Sequence, residues 1–278
     1  MERQICLAAG MLTDVPSPVA QIRTAVDAGY HGLGLRVDPD SADWRDLSTV
    51  RALLGSTGAL LLDVEMVMMT EDGRHDRLAA QATTVAVELG ARHLVVVCFD
   101  EDLGRCAAGL QDLVTRLEGT DVRPVVEFLP FSHVRSLAAA RRLISDAGLT
   151  GRVGVLVDVL HLVRSGSGPD EVMSTPPEWL PYLQVCDAGP SPDESTRGAL
   201  FAEAVRGRCL PGEGVLPVRA IIEAVPADAP LSVEVLSERL MQDLNPFDRA
   251  VRALAATRAM MDDRWAGTEA TDQGGSQA

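Results

Sequence analysis

Short, unbroken apolar runs alternate along this chain with longer segments of helical periodicity. The runs fall at residues 4–8, 32–37, 60–66, 93–99, 124–128, 153–158, 183–187 and 231–235. Runs of this kind, without polar alternation, mark strands buried on both faces, as in a parallel sheet. Between them lie helical patterns at 19–29, 76–89, 103–117, 134–147 and 218–224, and a closing helix over 246–263. Gly29, Gly90 and Gly148 each stand just past a periodic stretch, where a left-handed residue ends a helix. Eight strand candidates, most followed by a helix, predict an α/β fold: a single parallel sheet closed into a (β/α)8 TIM barrel. A doubly wound open sheet is the competing architecture, and no GxGxxG follows the first strand to favour it. The pattern predicts one domain over residues 1–265 and a disordered tail over 266–278, which carry no apolar periodicity.

Composition narrows the chemistry. With 278 residues and 46% apolar content, the chain can bury one barrel-sized core. A formal net charge of −15 opposes a phosphate backbone and predicts no nucleic-acid partner. No apolar stretch is long enough to span a bilayer, and MERQICLAAG lacks a basic segment followed by a long apolar one. No membrane association and a cytoplasmic location are therefore expected. Five scattered cysteines without CxxC spacing fit reduced thiols. The chain contains no lysine, which excludes Schiff-base chemistry, a pyridoxal phosphate anchor and a P-loop. Carbonyl chemistry here needs an electron sink other than an iminium.

In a parallel barrel, reactive groups come from the C-terminal ends of strands. Four predicted strands end in oxygen-bearing side chains: Val125 and Val126 lead into Glu127, Val155 to Val157 into Asp158, Tyr182 and Leu183 into Gln184, and Ser232 and Val233 into Glu234. Three carboxylates held together without a counter-charge repel, so one must be protonated or a cation must neutralise them. An all-oxygen set favours Mn2+ or Mg2+, with Co2+ or Zn2+ as further options. Plainer readings stand beside this one. Asp158 can cap the following helix with His161 buried and hydrogen-bonded. Glu127 and Glu234 can pair with rim arginines such as Arg36 or Arg208, and Arg208 can lie in a surface loop. Glu65 is a candidate substrate-binding acid, Arg36 and Arg164 are candidates for gripping an anionic group, and His93, at the start of its strand, reads as structural.

These residues also carry a resemblance. Glu127 in VVEFLPFS, Asp158 and His161 in LVDVLHLVRSG, Gln184 and Asp187 in LQVCDAG, Arg208 in RCLPGEG and Glu234 in SVEVLS resemble landmarks of the sugar phosphate isomerase/epimerase family, the xylose-isomerase-like TIM barrels. The resemblance runs to about Trp265 and is densest from Glu127 to Glu234. It implies that Glu127, Asp158, Gln184 and Glu234 are metal ligands, that His161 and Arg208 contact substrate, and that Pro211 to Gly214 form the turn before the last helix and strand. Two departures stand out. Gly34 replaces an acidic residue common at the end of the second strand, leaving that wall more open, and Gln184 replaces histidine as fourth ligand.

The expected function is a divalent-metal-dependent isomerase or epimerase of a small sugar- or polyol-like hydroxycarbonyl substrate, acting through a metal-stabilised enediolate with Glu127 and Glu234 as base and acid. A metal-dependent dehydratase of a keto-polyol or dehydroshikimate-like substrate is the alternative. A DNA repair endonuclease and a non-catalytic sugar-binding barrel rank lower. Relatives imply a homodimer or homotetramer.

Overall fold

The computed structural model describes residues 3–44, 46–73, 75–192 and 196–262. The proposed tail at 266–278 lies outside them. Among the described residues ten strands, in chain order, are β1 (Ile5–Leu7), β2 (Gly32–Arg36), β3 (Leu60–Met69), β4 (His93–Cys98), β5 (Arg123–Glu127), β6 (Gly154–Asp158), β7 (Leu183–Val185), β8 (Asp187–Ala188), β9 (Arg208–Cys209) and β10 (Leu231–Val233). Eight of them close into a barrel in the order β1-β10-β7-β6-β5-β4-β3-β2, and every neighbouring pair is parallel. The short β8 and β9 pair antiparallel at the rim.

The helices are α1 (Pro18–Asp27), α2 (Ser48–Thr57), α3 (Asp76–Leu89), α4 (Leu103–Arg116), α5 (Leu137–Asp146), α6 (Val159–Arg164), α7 (Pro169–Met173), α8 (Arg197–Arg206), α9 (Val218–Ala224), α10 (Glu238–Asp243) and α11 (Pro246–Met261). Their ends follow local chemistry: Asp102, Ser136, Thr196 and Asn245 accept backbone N–H bonds at the starts of α4, α5, α8 and α11. Gly29, Gly90 and Gly148 are left-handed, at φ +89°, +69° and +71°.

Two apolar layers hold the barrel. The larger lies between the strands' outward faces and the helices and includes Leu33, Val64, Val96, Val126, Val155, Val157, Leu183 and Val233. The second, made of Cys6, Leu62, Val95, Val125, Leu156 and Tyr182, is entirely buried. Side chains two apart on a strand share a face, so Glu127 stands above Val125, Asp158 above Leu156, and Gln184 above Tyr182. The acids and the amide thus crown an apolar plug that fills the barrel, which is a packed core rather than a pore.

Candidate active site

Four neighbouring barrel strands bring the predicted set together. Glu127 ends β5, Asp158 ends β6 and pairs in register with Gln184 of β7, and Ser232 of β10 lies beside Gln184 with Glu234 following two residues later. The Glu234 N–H still bonds to Val185 O at 2.9 Å, so the ladder carries this acid to the rim. All four side chains are buried, from 0% exposure at Asp158 to 9% at Glu127.

Asp158 has two partners. Its Oδ1 accepts the His161 N–H at 2.9 Å, capping α6, and its Oδ2 accepts from Arg208 Nη1 at 2.5 Å. Burial pushes this carboxyl up, but Arg208 and then His161 pull it down further, and the net result lies below the usual carboxylate range. Arg208 is no surface residue: it is 3% exposed. Its Nε donates to Ala204 O at 2.8 Å, and Nη2 lies 3.0 Å from Glu234 Oε2. Part of each plainer expectation therefore holds: Asp158 caps a helix and Glu234 pairs with an arginine, whereas Glu127 does not. Glu234 itself is raised to about 7, by burial first, with Arg208 opposing and the charges of Glu65 and Asp158 adding to the rise.

Glu127 has no arginine within salt-bridge distance among the described residues. Its closest basic neighbour is His161, Nε2 to Oε1 at 3.7 Å. Burial, then the charges of Glu234, Asp158 and Glu65, push Glu127 well above the carboxylate range. His161 is driven down to about 4, chiefly by burial, and is neutral at physiological pH. Phe131 meets its ring edge-on at 5.6 Å, an aromatic wall that the sequence reading passed over although Phe131 lies within VVEFLPFS.

Glu65 and Arg36 occupy the opposite wall as a pair: Arg36 Nε and Nη2 both donate to Glu65 Oε2, at 3.1 and 2.5 Å. Arg164 does not reach the site. It is spent on Glu203 and on Gly189 O, so the anion-gripping expectation fails for it. Asp187 builds the loop: its carboxylate accepts the N–H groups of Gly212, Gly214 and Leu216, each at 3.0 Å. A Cβ on Gly214 would come within 2.3 Å of Ala188 O, which is why glycine stands there. His93 is structural, stacked on Tyr182 at 5.0 Å.

The wall at Gly34 is not open. A Cβ there would lie 2.2 Å from Asp63 Oδ1, so the Asp63 carboxyl of β3 fills the space that glycine leaves on β2. A register shift puts it there: Leu33 pairs with Leu61 and Gly34 with Asp63, leaving Leu62 as the extra residue of a bulge. Asp63 is fully buried; among the described residues no group meets its oxygens at full hydrogen-bond geometry, and the Tyr182 hydroxyl is the polar group that interacts with its carboxyl.

The donor set suits a hard divalent cation. Among the described residues Gln184 Oε1 is buried without a partner, the carboxylates outnumber the two guanidinium groups beside them, Arg208 and Arg36, and every donor is oxygen. Cys186 is held as a neutral thiol by burial. In this conformation, however, no three His, Cys, Asp or Glu side chains among the described residues are spaced to hold a metal ion. A groove of about 370 Å³ lined by Met69, Thr70, Arg105 and Cys106 contains none of the site residues.

A closed parallel barrel with acids at adjacent strand ends defines a class of TIM-barrel protein, and the sequence specifies which one. The xylose isomerase-like TIM barrel family matches residues 22–260, and the chain belongs to it. No curated protein matches the chain at a significant level. Among solved structures, the IolI protein with a bound zinc atom superposes with a TM-score of 0.76 at 15% identity, covering 92% of this chain and 97% of that one. An L-ribulose 3-epimerase gives 0.69 at 15% identity over 99% and 100% of the two chains. A fusion of a xylose isomerase-like barrel with 4-hydroxyphenylpyruvate dioxygenase gives 0.76 at 18% identity, and this chain spans 94% of its own length but only 43% of the fusion. At these identities the likeness is one of fold.

Proposed function

We propose that this barrel is a divalent-metal-dependent isomerase or epimerase of a small hydroxycarbonyl compound, sugar- or polyol-like, in the cytoplasm. The observation that carries the reading is the convergence of Glu127, Asp158, Gln184 and Glu234 from four adjacent strand ends, with Gln184 Oε1 left without a partner. These four residues would hold the ion, Mn2+ or Mg2+ before Co2+ or Zn2+, because the donors are all oxygen. A bound ion supplies Lewis acidity toward the carbonyl and adjacent hydroxyl oxygens of the substrate. Glu127 and Glu234 are the pair that would remove and return the proton on the carbon beside the carbonyl, from opposite faces or with one of them doing both. Neutral His161 and charged Arg208 contact the substrate oxygens, with Glu65 and Arg36 forming the far wall. The absence of lysine supports this route over an iminium, the five free thiols support a reducing compartment, and the sugar epimerases among the structural relatives support the substrate class.

The test is solvent deuterium incorporation beside the carbonyl, screened over ketoses and keto-inositols with Mn2+-loaded protein. The active substrate exchanges with wild type and not with Glu234→Gln. Undiminished exchange in Glu234→Gln sinks the assignment, and a product lighter by one water identifies the dehydratase alternative.

A further inference from the structure

The candidate ligands do not share one electrostatic situation. Asp158 and Glu234, on strands separated by β7, are bridged by one guanidinium, with Nη1 at 2.5 Å from Asp158 Oδ2 and Nη2 at 3.0 Å from Glu234 Oε2. Glu127 and Gln184 have no such partner among the described residues: the nearest basic group to Glu127 is His161 Nε2 at 3.7 Å, and Gln184 Oε1 accepts no hydrogen bond. One guanidinium charge is thus shared between two of the four candidate donors.

Arg208 is built to hold this position. Its Nε is anchored on Ala204 O in the last turn of α8, its Nη1 also lies 3.2 Å from Cys186 Sγ and 3.3 Å from Glu234 O, and its side chain is 3% exposed. The planar fork of arginine spans two carboxylates, which a lysine ammonium cannot do with the same geometry. Removing a buried guanidinium from two carboxylates leaves charge uncompensated unless another cation arrives at the same moment.

We infer that Arg208 is the internal counter-cation of the metal-free site, so that a divalent ion is taken up by exchange against its guanidinium rather than by entry into a waiting cage. This rests on the metal reading of the site and adds a role for one residue within it. Arg208 holds Asp158 and Glu234 in place before loading, weakens ion binding by competing for the same oxygens, and has its Nη groups freed for substrate once the ion is seated.

The experiment is titration of chelator-treated full-length protein with Mn2+, following the free-ion electron paramagnetic resonance signal, for wild type, Arg208→Met and Arg208→Lys. Arg208→Met is expected to bind Mn2+ roughly tenfold or more tightly than wild type, because the competitor is gone. Without metal it should melt below wild type, and saturating Mn2+ should close that gap. Arg208→Lys, which keeps the charge but lacks the planar fork that reaches both carboxylates, should fall between the two and serves if metal-free Arg208→Met does not fold. Equal or weaker Mn2+ binding by both variants overturns the exchange while leaving the metal site standing. No Mn2+ binding by any of the three proteins overturns the metal reading and this inference together.

Discussion

Asp63 has no counterpart in the proposed chemistry. It is fully buried, among the described residues no group meets its oxygens at full hydrogen-bond geometry, and its carboxyl is raised well above the carboxylate range, by burial first and then by the charge of Glu65, with the nearby Tyr182 hydroxyl opposing. A neutral Asp63 means that the folded chain keeps a proton which the unfolded chain releases near pH 4. Between that pH and the raised folded value the native state binds more protons, so this residue's contribution to stability falls as pH rises. His93 and His161, both pushed down to about 4 from 6.5, act in the opposite direction over that interval. They are unchanged by a substitution at Asp63, so a comparison isolates the acid. Asp63→Asn, measured by urea denaturation of metal-free protein from pH 4.5 to 8, should gain stability relative to wild type as pH rises. Parallel profiles for the two proteins would falsify the neutral-acid assignment.

The same carboxyl ties two strands together. A methyl group on Gly34 of β2 would stand 2.2 Å from Asp63 Oδ1 and 3.2 Å from Ala9 N. Gly34→Ala should therefore destabilise by about 1–3 kcal/mol, the ordinary cost of overpacking. Combined with Asp63→Ala, which empties the space, it should cost distinctly less than the sum of the two single changes, because residues in contact couple. Additive values in the urea cycle would show that the two positions do not meet. This pair also marks where sequence ceases to specify structure. The eight strand positions are legible because parallel strands buried on both faces read as apolar runs. Glu127, Asp158, Gln184 and Glu234 are legible because each ends or follows such a run. In LLLDVEMVMM of β3, by contrast, alternation does not show that the register shifts after Leu33, so Asp63 could not be assigned to Gly34 and that wall was expected to be open. The short β8–β9 pair gives too little periodicity to find. Arg208 and Asp158 are 50 residues apart, and their contact depends on barrel closure, which no local pattern encodes.

At the scale of the whole molecule, the site and the barrel share their mechanics. The proposed ligands come from β5, β6, β7 and the end of β10, four consecutive staves of the closed sheet, so an ion that binds the native set and not the unfolded chain braces half of the barrel. At an ion concentration near one hundred times its dissociation constant, that linkage is worth about 2.7 kcal/mol. For a domain of this size each kcal/mol moves the melting temperature by roughly 2–4 °C, so Mn2+ should raise it by about 5–11 °C, reversibly with chelator. The formal charge of −15 supplies a rival cause, since any divalent cation relieves the self-repulsion of an acidic surface. The two causes separate in Asp158→Asn and Gln184→Leu, which leave nearly all of the surface charge in place. Site binding predicts that the rise shrinks to a small residue in both variants, and that sodium chloride at matched ionic strength does not reproduce it in wild type. An undiminished rise in both variants assigns the effect to surface screening and removes the bracing role from the four strand ends.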